Sequence, residues 1–95
     1  MKQYLVIAND GKDDGALDRR KEVRPLHLAG AKKLKENNNF IGGAMLDDEG
    51  NMRGSIMIVQ FETQDDFQRW YGNEPYITQG VWKTIEVKPF RVADV

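Results

Sequence analysis

Residues 54–61, Gly-Ser-Ile-Met-Ile-Val-Gln-Phe, form the most apolar stretch of the chain. A short run rich in β-branched and long apolar side chains predicts a strand, and we place it at the centre of a sheet. Phe40–Leu46 predicts a neighbouring strand, in which Gly42-Gly43 allows a bulge or the close approach of another group. Between the two, Asp47-Asp48-Glu49-Gly50-Asn51 supplies the turn residues of a hairpin.

Two further strands are predicted towards the ends of the chain. Tyr4–Ala8 is a short apolar run closed by Asn9-Asp10-Gly11, which is typical of a central strand buried on both faces. A polar, glycine-rich loop is predicted over residues 11–15. From Trp82 to Val92 the side chains alternate in character, which predicts a strand with two different faces.

The first helical region begins at Ala16 and ends at Asn37-Asn38-Asn39. Pro25 interrupts it, because proline lacks a backbone donor and disfavours helical geometry at Arg24. We therefore expect two helical segments that meet at this point rather than one continuous helix. His27 then lies in the first turn of the second segment, at the border of its buried face.

The second helical region follows the apolar strand. Thr63 is a predicted N-cap followed by acidic residues, and Phe67, Trp70 and Tyr71 recur at helical spacing. Glu74-Pro75 then opens another brief helical turn.

The predicted order is strand, helix, strand, strand, helix, strand, which is the ferredoxin-like α+β plan. At 95 residues we expect one domain spanning positions 1–95, with an antiparallel sheet and both helices on one face. If the other face carries Trp82, Tyr4 and their neighbours, it also needs a cover. A second copy of the chain is the simplest one, so we expect a homodimer.

Composition argues against several classes of protein. The 14 basic and 15 acidic residues give a net charge of -1, so nucleic acid and membrane surfaces are poor partners. There is no cysteine, and one histidine among scattered carboxylates shows none of the usual metal-ligand spacings, so neither a metal nor another cofactor is expected. The apolar run near Met1 is too short for a signal peptide or a membrane span, which makes the cytoplasm the expected location.

His27, the one histidine, is the best candidate for proton chemistry, since imidazole gains and loses a proton near neutral pH. Arg24 lies three residues earlier and would favour the neutral, base-ready ring; it could also bind an acidic substrate. The alternatives are structural: a helix-start histidine bonded to a carbonyl or carboxylate, and a surface ion pair between Arg24 and a residue such as Glu22.

Glu74 occupies a helix-cap position that aspartate would fit better, so its carboxylate is a candidate to orient His27. The alternative is an exposed glutamate that interacts only with the helix dipole. Ser55 is a candidate hydrogen-bond donor to a substrate, although it could simply be a strand residue. Tyr76, which follows Glu74-Pro75, is the third candidate for substrate binding, beside Arg24 and Ser55.

Three landmarks in this order resemble the YciI-like (YCII-related) family: Arg24-Pro25-x-His27-Leu28, Glu74-Pro75-Tyr76 with Gly80-Val81 after it, and Val87-Lys88-Pro89-Phe90. The resemblance spans nearly the whole chain. It implies a ferredoxin-like dimer of the α+β barrel type, a pocket between helices and sheet, and a His-Asp acid–base pair. In that pair His27 would be the histidine, and Glu74 fills the position where the family usually has aspartate. A few members of the family look like dehydrochlorinases or relatives of muconolactone isomerases.

The residues and the resemblance together predict a small cofactor-free enzyme. His27 and Glu74 would be its catalytic pair for lyase- or isomerase-type proton transfer on a small organic, acid-like substrate. The alternative is a non-catalytic dimeric module that binds a small metabolite or supports a larger assembly. In that case His27 and Glu74 only tie a helix to a loop.

Overall fold

The computed structural model describes all residues, 1–95, as four strands and three helices. In chain order the elements are β1 (Lys2–Asp10), α1 (Ala16–Glu36), β2 (Phe40–Leu46), β3 (Met52–Phe61), α2 (Gln64–Asn73), α3 (Pro75–Thr78) and β4 (Trp82–Phe90). The strands pair antiparallel in the order β2-β3-β1-β4. The predicted ferredoxin-like βαββαβ plan is therefore confirmed, with β3 and β1 at the centre of the sheet and α3 as a short extra turn.

The core lies between the helices and one face of the sheet. Alternate residues of a strand share a face, and the pairing register sets Val6 of β1 opposite Met57 of β3, so these two side chains meet on the same side. Both are fully buried, as are Ala8 and Val59, and Phe67 of α2 packs against them. The same alternation directs the intervening residues to the opposite face.

Tyr4 and Trp82 lie on the helix-covered face, so the condition stated above, that the opposite face carries them, is not met. The Tyr4 ring stacks on Phe67 of α2 with 4.0 Å between centroids. Trp82 lies edge-on to His27 of α1 and to Tyr76 of α3. The reason is that period-two alternation shows which residues share a face but not which face the helices cover.

The opposite face of the sheet carries an apolar cluster on β1, β2 and β3 that has no cover within the chain, and it is bordered on β4 by the charged Glu86 and Lys88. Register places Leu5 opposite Ile58, Ile7 opposite Ile56, and Ile41 opposite Ile58. Ile41 is 67% exposed and Ile56 is 40% exposed. We call the surface formed by these five side chains the open sheet face; its members are Leu5, Ile7, Ile41, Ile56 and Ile58. Contiguous exposed apolar side chains of this kind are typical of an interaction surface.

Helix α1 runs without interruption from Ala16 to Glu36 and includes Pro25, so the prediction of two segments is wrong. His27 consequently lies near the middle of the helix and not in a first turn. The buried residues of α1, which are Ala16, Arg20, Val23, His27 and Ala31, recur every three or four positions and hold one side of the helix against the sheet. Pro25 is exposed, so the carbonyl of Lys21 that loses its helical partner lies on the solvent side. Packing of the buried side outweighs the local preference of proline.

Replacement of Pro25 by alanine is expected to raise the free energy of unfolding by about 1–3 kcal/mol, because it restores one helical hydrogen bond and removes the clash of the ring. Urea unfolding followed by circular dichroism measures the change. Leu26→Ala is a matched control, since Leu26 is also exposed and already donates its backbone N–H. Unchanged or lower stability in Pro25→Ala would mean that the constraint proline places on the unfolded chain is the larger effect.

Candidate functional site

A cavity of about 130 Å³ lies between α1 and the strands β2 and β3. Four of the five residues predicted for the site line it, and the fifth, Glu74, bonds to one of them. The complete lining is Arg20, Arg24, His27, Leu28 and Ala31 from α1, Phe40, Gly42, Gly43 and Ala44 from β2, Ser55 and Met57 from β3, and Tyr76 from α3.

His27 and Glu74 form a buried pair at this cavity. The distance between His27 Nδ1 and Glu74 Oε1 is 2.5 Å, and the two residues are 7% and 3% exposed. Glu74 is also the N-cap of α3, where Oε1 accepts a hydrogen bond from the backbone N–H of Tyr76 at 3.1 Å. A single carboxylate oxygen therefore caps the helix and bonds the imidazole. The alternative of an exposed glutamate is wrong, since Glu74 is buried.

The pair determines which nitrogen of His27 is available. A carboxylate only accepts hydrogen bonds, so in the neutral imidazole the hydrogen is assigned to Nδ1, which donates it to Glu74. Nε2 then carries the lone pair. It has no hydrogen-bond partner in the protein, and His27 lines the cavity. The ring is thereby arranged to accept a proton from a bound molecule.

Aromatic neighbours hold the His27 ring in its plane. The ring of Tyr76 stacks on it with 4.0 Å between centroids and 11° between planes. Trp82 lies edge-on at 6.0 Å and 72°. Since Pro75 begins α3 and Glu74 caps it, one tight turn supplies both the carboxylate partner and the stacking ring.

A second buried network adjoins the pair, and sequence reasoning missed it. Arg20 Nη1 donates to both carboxylate oxygens of Asp10, at 2.9 and 3.2 Å, and Arg20 Nη2 donates to Ser55 Oγ at 2.8 Å. Trp82 Nε1 donates to the same Ser55 oxygen at 3.3 Å. Burial raises the pKa of Asp10, and the adjacent Arg20 guanidinium offsets part of that rise. One signal for Arg20 was available, because it lies seven positions before His27 and so on the same side of a continuous helix.

The other predicted site residues differ in their surroundings. Arg24 lines the cavity but is exposed, and it forms no ion pair with Glu22 or any other carboxylate, so the alternative of a surface ion pair is wrong. Ser55 is bonded to Arg20 and Trp82 and not to His27, so the arrangement of a nucleophilic triad is absent. Tyr76 is fully buried, and its hydroxyl has no protein partner.

No group of three or more histidine, aspartate or glutamate side chains is placed so that it could hold a metal ion. None of the three helices combines the length and apolar character that a membrane crossing requires.

Comparisons with known proteins agree with this fold. The YCII-related domain matches residues 2–91. Protein YciI of Escherichia coli O6:H1 (strain CFT073) is 33% identical over 95 residues, which cover 93% of this chain and 95% of the relative. An uncharacterised protein of Haemophilus influenzae (strain Rd) has the same identity and coverage.

Solved structures are similar over nearly the full length as well. The 5-chloro-2-hydroxyhydroquinone dehydrochlorinase TftG of Burkholderia phenoliruptrix AC1100 has a TM-score of 0.79 at 25% identity, over 96% of this chain and 95% of its own. A dimeric ferredoxin-like protein of Jannaschia sp. CCS1 has a TM-score of 0.57 at 17% identity, over 97% and 100%, and shows the shared fold. The domain match and the relatives together establish that this chain belongs to the YCII-related family.

Proposed function

We propose that this protein is a small-molecule enzyme in which His27 is the base for a cofactor-free proton transfer of the lyase or isomerase type. The observation that carries the proposal is the 2.5 Å contact between His27 Nδ1 and Glu74, which leaves Nε2 unpartnered at the cavity. Glu74 is a positioning residue, because it bonds to His27 and acts on the substrate through the ring. Arg24 at the cavity wall is available to a substrate carboxylate or phenolate.

The chemical step needs no oxidant or reductant. His27 Nε2 accepts a proton from a C–H or O–H group of the substrate, and the electron pair of the broken bond becomes a new π bond. In a lyase a leaving group such as chloride departs with its own electron pair, and in an isomerase the imidazolium returns the proton to another atom. The TftG structure supports this class, since that protein is a dehydrochlorinase and was solved with 2,5-dihydroxybenzoquinone.

Glu74→Gln tests the pair directly. The amide keeps the shape of the side chain but removes the negative charge that favours the Nδ1–H tautomer and stabilises the imidazolium. We expect turnover to fall by roughly 10²-fold or more. Chloride release from 5-chloro-2-hydroxyhydroquinone measures turnover, and ¹⁵N NMR of the imidazole measures the tautomer.

Two variants complete this experiment. Glu62→Gln is the matched control. It removes the same charge, but at an exposed residue that does not contact His27. Glu74→Asp keeps the charge but withdraws the carboxylate by about one bond length, and we expect an intermediate loss of turnover. Wild-type turnover together with an unchanged Nδ1–H tautomer in Glu74→Gln would refute the coupling of the pair.

We also propose that the protein is a homodimer that buries the open sheet face against a second copy. The exposed apolar side chains of that face support the proposal, and the Jannaschia protein of the same fold is described as dimeric.

Ile56→Glu is expected to convert the dimer into a monomer, because it places a charge in the middle of the open sheet face, where burial without a partner is costly. Sedimentation velocity measures the mass in solution. Leu26→Glu is the control, since Leu26 is exposed on α1 in the other layer. A dimer that survives in Ile56→Glu would place the interface elsewhere.

A further inference from the structure

Two buried polar atoms at the cavity have no partner in the protein. They are the Nε atom of Arg20 and the hydroxyl oxygen of Tyr76, on residues that are 3% and 0% exposed. Both residues line the cavity beside His27. Because more than nine in ten buried polar groups are bonded, two unbonded polar atoms on residues that line one cavity are candidate contacts for a bound molecule.

The chemistry of these atoms shows what kind of ligand group they suit. Arg20 uses both Nη atoms on Asp10 and Ser55, which leaves Nε–H as an unused donor. Ser55 Oγ accepts from Arg20 and from Trp82, so its own O–H is a third donor without a protein acceptor. The carboxylates of Asp10 and Glu74 are already bonded to Arg20 and His27. The unused atoms are therefore donors and suit an oxygen that carries negative charge.

The charges around the cavity and its size restrict the class of ligand further. The Arg20 guanidinium lies over the Tyr76 ring at 4.7 Å from its centroid, and unpaired Arg24 adds a second cation at the wall. Burial raises the pKa of the Tyr76 hydroxyl, which keeps it protonated and able to donate at neutral pH. The cavity of about 130 Å³ is close to the roughly 150 Å³ that holds a benzene ring in an engineered protein.

We propose that Arg20, Tyr76 and Ser55 form an oxyanion subsite that takes the phenolate or enolate oxygen of a ring-sized substrate. This inference rests on the proposed function, because the oxyanion forms as His27 removes a proton. When Nε2 accepts a proton from the carbon next to a carbonyl, the C–H electron pair forms the C=C bond and the carbonyl oxygen takes the negative charge. Donors that are already in place stabilise that charge without reorganising. The substrate class is thus a small cyclic hydroxy or keto compound.

The probe for the subsite is 4-nitrophenol, whose phenolate form absorbs visible light and so reports its own ionisation when bound. The wild-type protein is expected to bind the phenolate in preference to the phenol, which lowers the apparent pKa of the bound probe relative to the free one. In Tyr76→Phe the affinity for the phenolate is expected to fall roughly 10- to 100-fold, the range for a hydrogen bond to a charged group.

The stability of Tyr76→Phe separates a binding role from a structural one. The hydroxyl makes no protein hydrogen bond, so its removal is expected to leave the urea midpoint unchanged or to raise it. A tyrosine kept for structure would instead lower the midpoint and leave phenolate affinity unchanged. Arg20→Lys keeps a cation for Asp10 but removes the Nε donor, and is also expected to weaken phenolate binding. Arg19→Lys is its control, because Arg19 pairs with Asp13 at the surface.

His27→Gln distinguishes the subsite from the proposed reaction. It is expected to lower turnover by roughly 10²- to 10⁴-fold and to retain nitrophenolate binding. Two results would overturn the subsite. One is the absence of saturable phenolate binding at millimolar concentration, and the other is equal phenolate affinity in wild type, Tyr76→Phe and Arg20→Lys. In either case the turnover assay alone decides the role of His27. Full turnover in His27→Gln with weakened phenolate binding in Tyr76→Phe overturns the proposed reaction and supports the subsite.

Discussion

His27→Gln is expected to lower turnover of a proton-transfer substrate by roughly 10²- to 10⁴-fold, the usual contribution of a positioned acid or base. Glutamine can still donate a hydrogen bond from its amide to Glu74, so the buried carboxylate keeps a partner. Its amide has no basic nitrogen to replace Nε2. The chemistry is therefore lost while the local hydrogen bonding is largely kept.

The measurement is single-turnover chloride release from 5-chloro-2-hydroxyhydroquinone, with urea unfolding as the check on the fold. Leu26→Gln is the matched control, because it introduces the same side chain one position earlier on α1, where it is exposed. Wild-type turnover in His27→Gln would exclude His27 as the base. If His27→Ala instead lowers stability by about 1–3 kcal/mol and leaves ligand binding unaltered, the non-catalytic dimeric module is the better description.

The second large effect is expected at the buried ion pair of Asp10 and Arg20. Asp10→Ala should lower the free energy of unfolding by about 3–5 kcal/mol, because it leaves the Arg20 guanidinium buried without its counter-charge. The pair is almost fully enclosed, with 3% of the Arg20 side chain and 1% of the Asp10 side chain exposed. Urea unfolding at neutral pH measures the loss.

Two comparisons make this prediction specific. Asp13→Ala removes the partner of Arg19, an exposed ion pair, and is expected to change stability little. The double variant Asp10→Ala with Arg20→Met is expected to recover part of the lost stability, since it removes the stranded charge as well. Equal losses in Asp10→Ala and Asp13→Ala would contradict a special contribution from the buried pair.

Much of the fold follows from local patterns. The apolar run around Ile56–Phe61 and the hairpin residues before it predict β3 and its partner, and Thr63 caps α2 as expected, accepting a hydrogen bond from the backbone N–H of Asp66 at 3.1 Å. Pro25 leads to the wrong prediction because its free-energy cost falls on one turn, whereas packing of the buried side stabilises α1 along all 21 residues. Local preference was outweighed by tertiary packing.

The candidate site was only partly predictable. His27 and Glu74 stand out because one is the only histidine and the other an unusual cap residue. Arg20 and Asp10 do not stand out, since arginine and aspartate are common in a chain with 31% charged residues and nothing local marks which of them are buried. Nothing local shows that Trp82 lies on the helix-covered face either.

The sequence by itself determined the order of the strands and main helices and the resemblance to the YCII-related family, because each element and each quoted motif depends on residues near one another along the chain. Only the tertiary structure decided that α1 is continuous, that Glu74 reaches His27, and that Arg20, Ser55 and Tyr76 meet on one cavity wall. The physical reason is that His27 and Glu74 are 47 positions apart and Arg20 and Ser55 are 35 apart, so burial and register, and not local preference, determine which side chains meet.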